Sequence, residues 1–391
     1  MKNILIVSDT FYPNKTSGAK LLFDLTNELK KKNKILVICA QNSNLIEFFK
    51  KLNISSQKKN LKIVFVPSLF IKNKNLFIRG LFEFIMGFIV WHKAKNHINN
   101  FKPSSLVVYS PSIFFGYLTK KINKKFRTKS LCIMRDLFPY WAFEVGYINN
   151  FFLQLIFKNI LNKFIYSFDS IGLEANTNIK ILSMLNKKNK KNFFFLPNWI
   201  DIEDFKYQRL KIKKKMNFLF GGNFGGGQDL EKVLKFFKKI NYDYCKMFYL
   251  IGDGISASSI SNFLETNISK KIIYRNKMSQ LKYFEFIEKI DFGIISLNDK
   301  ISSVNFPGRL YSYLLKNKPV IILSSKKNEL SEFVEKNKIG LRYSEKMNLN
   351  TFMKKLNKIS INIDKNKNHI KNILKKNFSV KKIGKLLISK I

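Results

Sequence analysis

Cysteine is scarce in this sequence, 3 residues in 391, and histidine is equally so. Cys39, Cys132 and Cys245 lie far apart and form no CxxC pair. That excludes a disulfide framework and a thiolate zinc site, and it fits a reducing compartment. All three sit in or beside apolar runs, which predicts buried, inert thiols. His92 and His97 lie in a basic helical stretch and His369 in a polar tail. None follows a strand, so histidine-based chemistry has little support. Long uncharged apolar runs are also missing. Leu76–Val90 comes closest to a membrane span, but Arg79 and Glu83 interrupt it. The opening MKNILIVSD has too short an apolar run for a signal peptide and reads as a first strand.

Acidic residues are few, 26 against 71 Lys+Arg, giving a formal charge of +45. Such an excess suits nucleic acid or an anionic membrane surface. The lysines are scattered, however, and no nucleic-acid-binding signature accompanies them. Lys, Asn, Ile and Phe are inflated together, which reads as compositional bias. Long-range attraction to anionic lipid survives either way. The chain is too long for one ordinary core, so two domains are expected. Its 46% hydrophobic content, with 39 Phe, can fill both.

Apolar strand-like runs alternate with helical patterns, which predicts parallel sheets covered by helices on both faces. In the first half the runs are 4–7, 35–39, 63–66, 106–109, 131–134, 170–173 and 193–196. Helices are expected between them, as at 19–31 and 113–124. Beyond Pro197–Asp201 the chain turns polar, with the basic run KIKKK at 211–215. A second alternation follows at 218–220, 247–251, 271–274, 292–295, 320–323 and 340–343. A basic helix, 380–390, closes the chain. The expected organisation is a domain over 1–200, a second over 201–376 and the closing segment 377–391.

Two elements in the second half suit a phosphate. Phe218–Asp229 reads as a strand, a glycine loop and a helix. Gly221, Gly222, Gly225, Gly226 and Gly227 let the backbone approach a ligand with amides free. No Gly-Lys-Ser/Thr follows, so this is no Walker loop, and it is a poor GxGxxG match. An ordinary strand-to-helix turn would look similar, but the glycines are dense for a chain holding only 17. In Phe306–Ile322 a turn at Pro307-Gly308 places Arg309 at a helix start. Leu310, Tyr313 and Leu314 follow at i, i+3, i+4, Asn317 offers a stop, and Pro319 opens a strand. Unpaired amides and the macrodipole at such a start favour an anion beside the fixed cation. Ile251-Gly252-Asp253-Gly254 follows another strand, although a simple Asp-Gly turn is as common.

In the first half, Ser8–Ala19 is a long strand-to-helix loop that suits a pocket lip. Ser17 is its expected helix cap, and Gly18 would admit a substrate close to the backbone. Arg135-Asp136 follows a strand with Trp141 and Glu144 nearby. The pair is either a structural ion pair or a site, and its place at a strand end favours Asp136, then Glu144, as candidate catalytic carboxylates. Phe77–Lys95 reads equally as a buried helix or an interfacial one with Trp91 at headgroup level. The basic run 120–129 would assist contact with anionic lipid.

Taken together and in order, DTFYPNKTSGAK, SPSIFFGYL, MRDLFP, LPNWID, FGGNFGGGQDLEKVL, IGDG and FPGRLYSYLLKNKPVI resemble motifs of the GT-B glycosyltransferases of the GT4 type. The branch is the bacterial one that builds O-antigen, capsule and other surface polysaccharides. The resemblance runs over nearly the whole chain. It implies an α/β fold of two Rossmann-like, doubly wound domains facing across a cleft. The acceptor would bind mainly to the first domain and the nucleotide sugar to the second, and the last helix would cross back to the first. Gly222, Asn223, Gly225 and Gln228 would hold the diphosphate, with Gly308, Arg309 and Leu310 on its other side. The backbone near Arg275–Met278 would meet the base, Gly254 and Ser312 would also bind the nucleotide sugar, and Gly18 would admit the β-phosphate or acceptor. Many relatives carry carboxylates where Ser312 and Val304 stand here; the first contacts the ribose.

The implied activity is a retaining transfer from a UDP-sugar, carrying an N-acetylated or deoxy hexose, to a lipid-linked saccharide. It needs no metal and no further cofactor, and its expected location is the inner face of the cytoplasmic membrane. No paired carboxylates at glycosidase spacing can be argued from the sequence. A nucleotide-sugar 2-epimerase of the same fold, or a binding protein without activity, remains the alternative. A nucleic-acid binder is more distant.

Overall fold

The computed structural model describes residues 1–14, 16–42, 46–47, 57–68, 76–110, 113–185, 192–210, 213–240, 243–254, 260, 263–264 and 270–391. Pro111 and Ser112 of the second motif, and Lys211 and Ile212 of the basic run, lie outside them. The chain divides into two compact units, Met1–Trp199 with Val380–Ile391, and Ile200–Ser379. It crosses between them at two places. Ile200 and Ser379 form a bridge, and the Ile200 amide donates to the Phe378 carbonyl at 2.8 Å.

The first unit holds strands β1 (Asn3–Ser8), β2 (Lys34–Asn42), β3 (Gln57–Lys58), β4 (Leu61–Ser68), β5 (Ser105–Ser110), β6 (Lys129–Met134), β7 (Ser170–Leu173) and β8 (Asn192–Phe195). Their order is β3-β4-β2-β1-β5-β6-β7-β8, parallel throughout except for the short β3. Strands such as Leu106–Val108 and Leu131–Met134 are buried on both faces, which is why they read as unbroken apolar runs. One face packs under α2 (Leu76–Phe101), α3 (Gly116–Phe126) and α5 (Phe151–Ile165), through Val90, Leu118 and Phe164 among others. The other packs under α1 (Ser17–Leu29) and the closing helix α13 (Val380–Lys390), through Leu22, Leu25, Ile383 and Leu387. Short α4 (Tyr140–Glu144) and α6 (Asn176–Leu185) complete the unit.

The second unit is a six-stranded parallel sheet of β9 (Met216–Asn223), β10 (Cys245–Asp253), β11 (Ile272–Arg275), β12 (Phe292–Ser296), β13 (Val320–Leu323) and β14 (Gly340–Tyr343). The order is β11-β10-β9-β12-β13-β14. Strand order reverses between β9 and β12, which opens a crevice at their carboxyl ends, the place such sheets bind ligands. Helices α7 (Leu230–Ile240) and α11 (Leu349–Lys365) bury Val233, Phe237 and Leu356 against Phe218 and Phe248 on one face. The opposite face carries Tyr283 of α8 (Gln280–Ile287) against Gly221 and Tyr313 of α9 (Gly308–Leu315) against Gly293. A Cβ on Gly293 would lie 2.2 Å from the Tyr313 ring, so only glycine admits that ring. Helices α10 (Glu329–Lys336) and α12 (His369–Phe378) follow β13 and α11.

Every strand expected from the sequence is present, and among the described residues only the two-residue β3 goes beyond that expectation. Two local expectations are corrected. Gly221-Gly222-Asn223 is strand, not loop: it pairs in register with Ile251-Gly252-Asp253. Thr16, not Ser17, caps α1, its hydroxyl accepting from the Ala19 amide at 3.2 Å. The described side chains of α2 bury Met86, Val90, Ala94 and Ile98 at helical spacing, and Trp91 packs partly against the same core. That favours a core-covering helix over one lying in a headgroup layer. No helix among the described residues is long and apolar enough to cross a membrane. All three cysteines are buried free thiols.

Candidate functional site

The site in the second unit grows from the crowded ends of β9 and β10. A Cβ on Gly252 would lie 1.8 Å from the Gly222 carbonyl oxygen, so the strands approach this closely only because position 252 is bare. Gly222 takes φ +115° and Gly254 φ +145°, conformations that L side chains resist. A Cβ at Gly254 would also meet the Phe224 backbone at 2.8 Å. The Phe224 amide donates to the Asp253 carbonyl at 2.8 Å, and the chain then turns through Gly225–Gly227 into α7. Asp229 caps that helix, accepting from the Lys232 amide at 3.2 Å.

The loop is held from behind by its carbonyls. Asn298 donates its amide to Gly227 O at 3.3 Å and its side chain to Gly226 O at 2.8 Å. The Ser296 hydroxyl donates to Asp229 O at 2.8 Å. Lys232 bridges Asp229 and Asp299. Burial alone would raise the Asp299 carboxyl, but Lys232, Ser325 and Ser324 donate to it and hold it at about 2. With the carbonyls engaged, the amides of Gly225, Gly226 and Gly227 have no acceptor among the described residues. Helix α9 starts at Gly308 behind Pro307, and no side chain caps it. The amides of Gly308 and Arg309 likewise have no acceptor among the described residues.

Arg309 joins these two elements. It is 8% exposed and lies with its guanidinium 4.7 Å from the Phe220 ring centroid. Its Nη2 donates a long 3.3 Å bond to the Asn223 carbonyl, and a Cβ on Gly222 would be 3.0 Å from the same nitrogen. Nη1 has no partner, and no carboxylate pairs with this cation among the described residues. Desolvation pulls its pKa below the ordinary arginine value, partly countered by Tyr313 and Tyr283. A cation buried without a counter-ion is costly, and the cost falls when an anion arrives. Tyr313 fixes the helix beneath it, its hydroxyl donating to Leu219 O at 3.0 Å and accepting from the Gly221 amide at 3.2 Å.

The other expected residues of this unit spread outward. Gln228 belongs to the loop, its amide bonded to Gly225 O at 2.9 Å and its side-chain Oε1 buried without a partner. Leu310 is fully buried beneath the helix start. The Ser312 hydroxyl turns back to Gly308 O at 3.2 Å, and Val304 is buried, so neither presents an acid to a ribose. Arg275 is exposed at the end of β11, with its guanidinium 5.7 Å from the Phe286 ring, and Met278 is half-buried in the following turn.

In the first unit Arg135 and Asp136 directly follow β6. Arg135 is 8% exposed, donates Nη1 to Leu196 O at 3.0 Å and stacks 4.8 Å from the Trp199 ring. Asp136 beside it is half-buried. Gly18 lies against Tyr109, where a Cβ would be 3.0 Å from the hydroxyl. Burial pushes the Tyr109 phenol to about 12, with Arg135 lowering it and Glu174, Asp136 and Asp9 raising it. Those groups therefore share one environment at the strand ends. Glu174 is 4% exposed and accepts from Asn198 at 3.1 Å. Sequence reading missed Glu174, although it follows β7 as Asp136 follows β6. Glu144 ends α4, half-buried.

No family model matches the chain. Over 221 residues it is 20% identical to a protein described as probable glycosyltransferase WbjE of Pseudomonas aeruginosa. That match spans 54% of the chain and 55% of the relative, so little more than half of either is compared. WaaG, a glycosyltransferase involved in lipopolysaccharide biosynthesis, superposes with a TM-score of 0.62 at 10% identity over 98% of both chains. The Anabaena protein Alr3699/HepE in complex with UDP gives 0.65 at 11% identity, covering 100% of this chain and 99% of that one. Identities this low speak for architecture alone. On that basis the chain has the GT-B fold of these solved structures, two parallel-sheet α/β domains.

Proposed function

We propose that the chain is a retaining, metal-independent glycosyltransferase that moves a sugar from a UDP-sugar to a lipid-linked saccharide in surface-polysaccharide synthesis. The observation that carries this is Arg309, a buried guanidinium without a carboxylate beside open glycine and helix-start amides. The acceptor hydroxyl oxygen forms a bond to the anomeric carbon as the bond from that carbon to the diphosphate breaks. UDP leaves with the electron pair, and the hydroxyl proton passes to its departing phosphate oxygen. Negative charge grows on the diphosphate, so preorganised amides and Arg309 favour the transition state over the bound donor. Attack on the face the leaving group vacates retains configuration. Gly222, Asn223, Gly225 and Gln228 would frame the diphosphate, with the β11 end near Arg275 and Met278 taking the base. Asp136, then Glu144, would meet the acceptor. That WbjE and WaaG are described as glycosyltransferases, and that HepE was solved with UDP, supports the reading.

The test is incubation of the chain with radiolabelled UDP-sugars, with and without a lipid-pyrophosphate saccharide. Labelled lipid formed only when both are present is the expected result. Conversion of the donor alone to its 2-epimer would replace transfer with epimerisation, and no binding of any nucleotide sugar by calorimetry would leave a fold without activity.

A further inference from the structure

Gly225–Gln228 is a β-turn, closed by the Gln228 amide on the Gly225 carbonyl at 2.9 Å. Its central residues are Gly226 and Gly227. The peptide between the central residues is the one that rotates when a turn changes from type I to type II, and type II requires a positive φ at the second of them. Glycine takes positive φ without steric cost, so a Gly-Gly turn is free to adopt either form. Neither central glycine has a positive φ here. The choice matters for an anion. In a trans peptide the C=O and N–H point in opposite directions, so the Gly226 carbonyl and the Gly227 amide face opposite sides of the turn. Rotating that peptide would put a carbonyl oxygen where the amide hydrogen stands. Asn298, just after β12, holds it: Nδ2 donates to the Gly226 carbonyl at 2.8 Å, and the backbone amide donates to the Gly227 carbonyl at 3.3 Å. The Asn298 side chain is itself oriented, because its Oδ1 accepts from the Lys300 amide at 3.0 Å. Turning the side-chain amide over would break both side-chain bonds.

The geometry points to Asn298 as a positioning residue that locks the central peptide of this turn with the Gly227 amide turned outward, and so keeps the loop a receptor for diphosphate. Without it the Gly-Gly turn would sample the rotated form, whose carbonyl repels an anion. Asn298 acts through the peptide. The inference rests on the reading of this turn as the diphosphate cradle, and it adds the side chain that sets the direction of the cradle's dipoles.

Calorimetric titration of the full chain with UDP and with inorganic pyrophosphate tests it. Asn298→Ala should bind UDP on the order of tenfold more weakly than the wild type. Asn298→Asp keeps the bond from Lys300 but sets a carboxylate oxygen against the Gly226 carbonyl, so it is a second variant that should weaken binding at least as much. The decisive arm is a cycle with Gly227→Ala. A Cβ at 227 would meet only the Ile301 side chain, at 3.9 Å, but alanine resists positive φ and so bars the rotated turn on its own. In that background the Asn298→Ala step should cost less than about threefold in UDP affinity. A side chain that merely supports the fold would cost the same in both backgrounds. In the transfer assay the Asn298→Ala change should lower kcat by a larger factor than it raises KM, because the amide acts most strongly as charge grows on the leaving diphosphate. UDP affinity within about twofold of the wild type in both Asn298 variants, or an equal loss in the two backgrounds, would overturn the inference. A wild type that binds pyrophosphate but not UDP would refute the nucleotide reading, and the same cycle run with pyrophosphate then decides the role of Asn298. A wild type that binds neither would overturn both.

Discussion

Replacing Arg309 with Met separates a ligand-binding cation from a structural one, because the two roles predict opposite signs. In the folded protein the guanidinium contributes stacking on Phe220 at 4.7 Å, ~1 kcal/mol, and one stretched bond at 3.3 Å, less than ~1 kcal/mol. Against this stands the desolvation that lowers its pKa. Met fills a similar channel with an unbranched apolar chain. Removing a buried charge that has no counter-ion should leave folding within ~1 kcal/mol of the wild type, or stabilise it, a shift of ~3 °C at most in Tm. Binding should behave differently. Loss of charge-assisted bonds to a diphosphate costs ~3 kcal/mol, on the order of a hundredfold in Kd. Calorimetric titration with UDP and a thermal melt of the same samples read both quantities. A Kd within about threefold of the wild type would refute the reasoning, as would a Tm loss of ~10 °C, the mark of a structural residue.

Three further substitutions probe the scaffold. Gly252→Ala must displace the Gly222 carbonyl 1.8 Å from the new Cβ, so urea unfolding should show a loss of ~3 kcal/mol or more, and a loss below ~1 kcal/mol would contradict the close strand approach. Tyr313→Phe strands the Leu219 carbonyl and the Gly221 amide, predicting a loss of ~1–3 kcal/mol by the same measurement; a neutral result would mean the bonds contribute nothing. Lys318 is 4% exposed, and burial drops its pKa to about 8. Below that pH the folded state must hold a charge it disfavours, and the unfolded chain binds more protons between about 8 and the ordinary lysine value near ~10.4. Wild-type stability relative to Lys318→Met should therefore rise through that window, with Met the more stable variant at neutral pH. A difference that stays flat from about pH 7 to 10.5 would sink this assignment.

The fold was legible because buried parallel strands leave unbroken apolar runs, such as Leu131–Met134 and Val320–Leu323, that need no partner information to find. Proline and glycine placed the α9 start equally well, since Pro307 and Gly308 stand where the helix begins. Spacing could not reveal that Gly221–Asn223 continues β9, because its pairing with Ile251–Asp253 is decided by a strand 30 residues away in register. Nor could it show Arg135 reaching Leu196 and Trp199, contacts that exist only once β8 is in place. Exposure of Phe151 and Phe152 was hidden for a related reason. The run FFLQLIFKNIL does not itself say which of its turns meets the sheet, and only the folded unit shows which are left uncovered.

Hydrogen exchange of the full chain, read with and without saturating UDP, bears most directly on the phosphate cradle. Slowed exchange concentrated in the 222–228 and 308–310 peptides is the predicted result, because the open amides there would gain acceptors. UDP that binds while those two segments exchange at their free rates would contradict it.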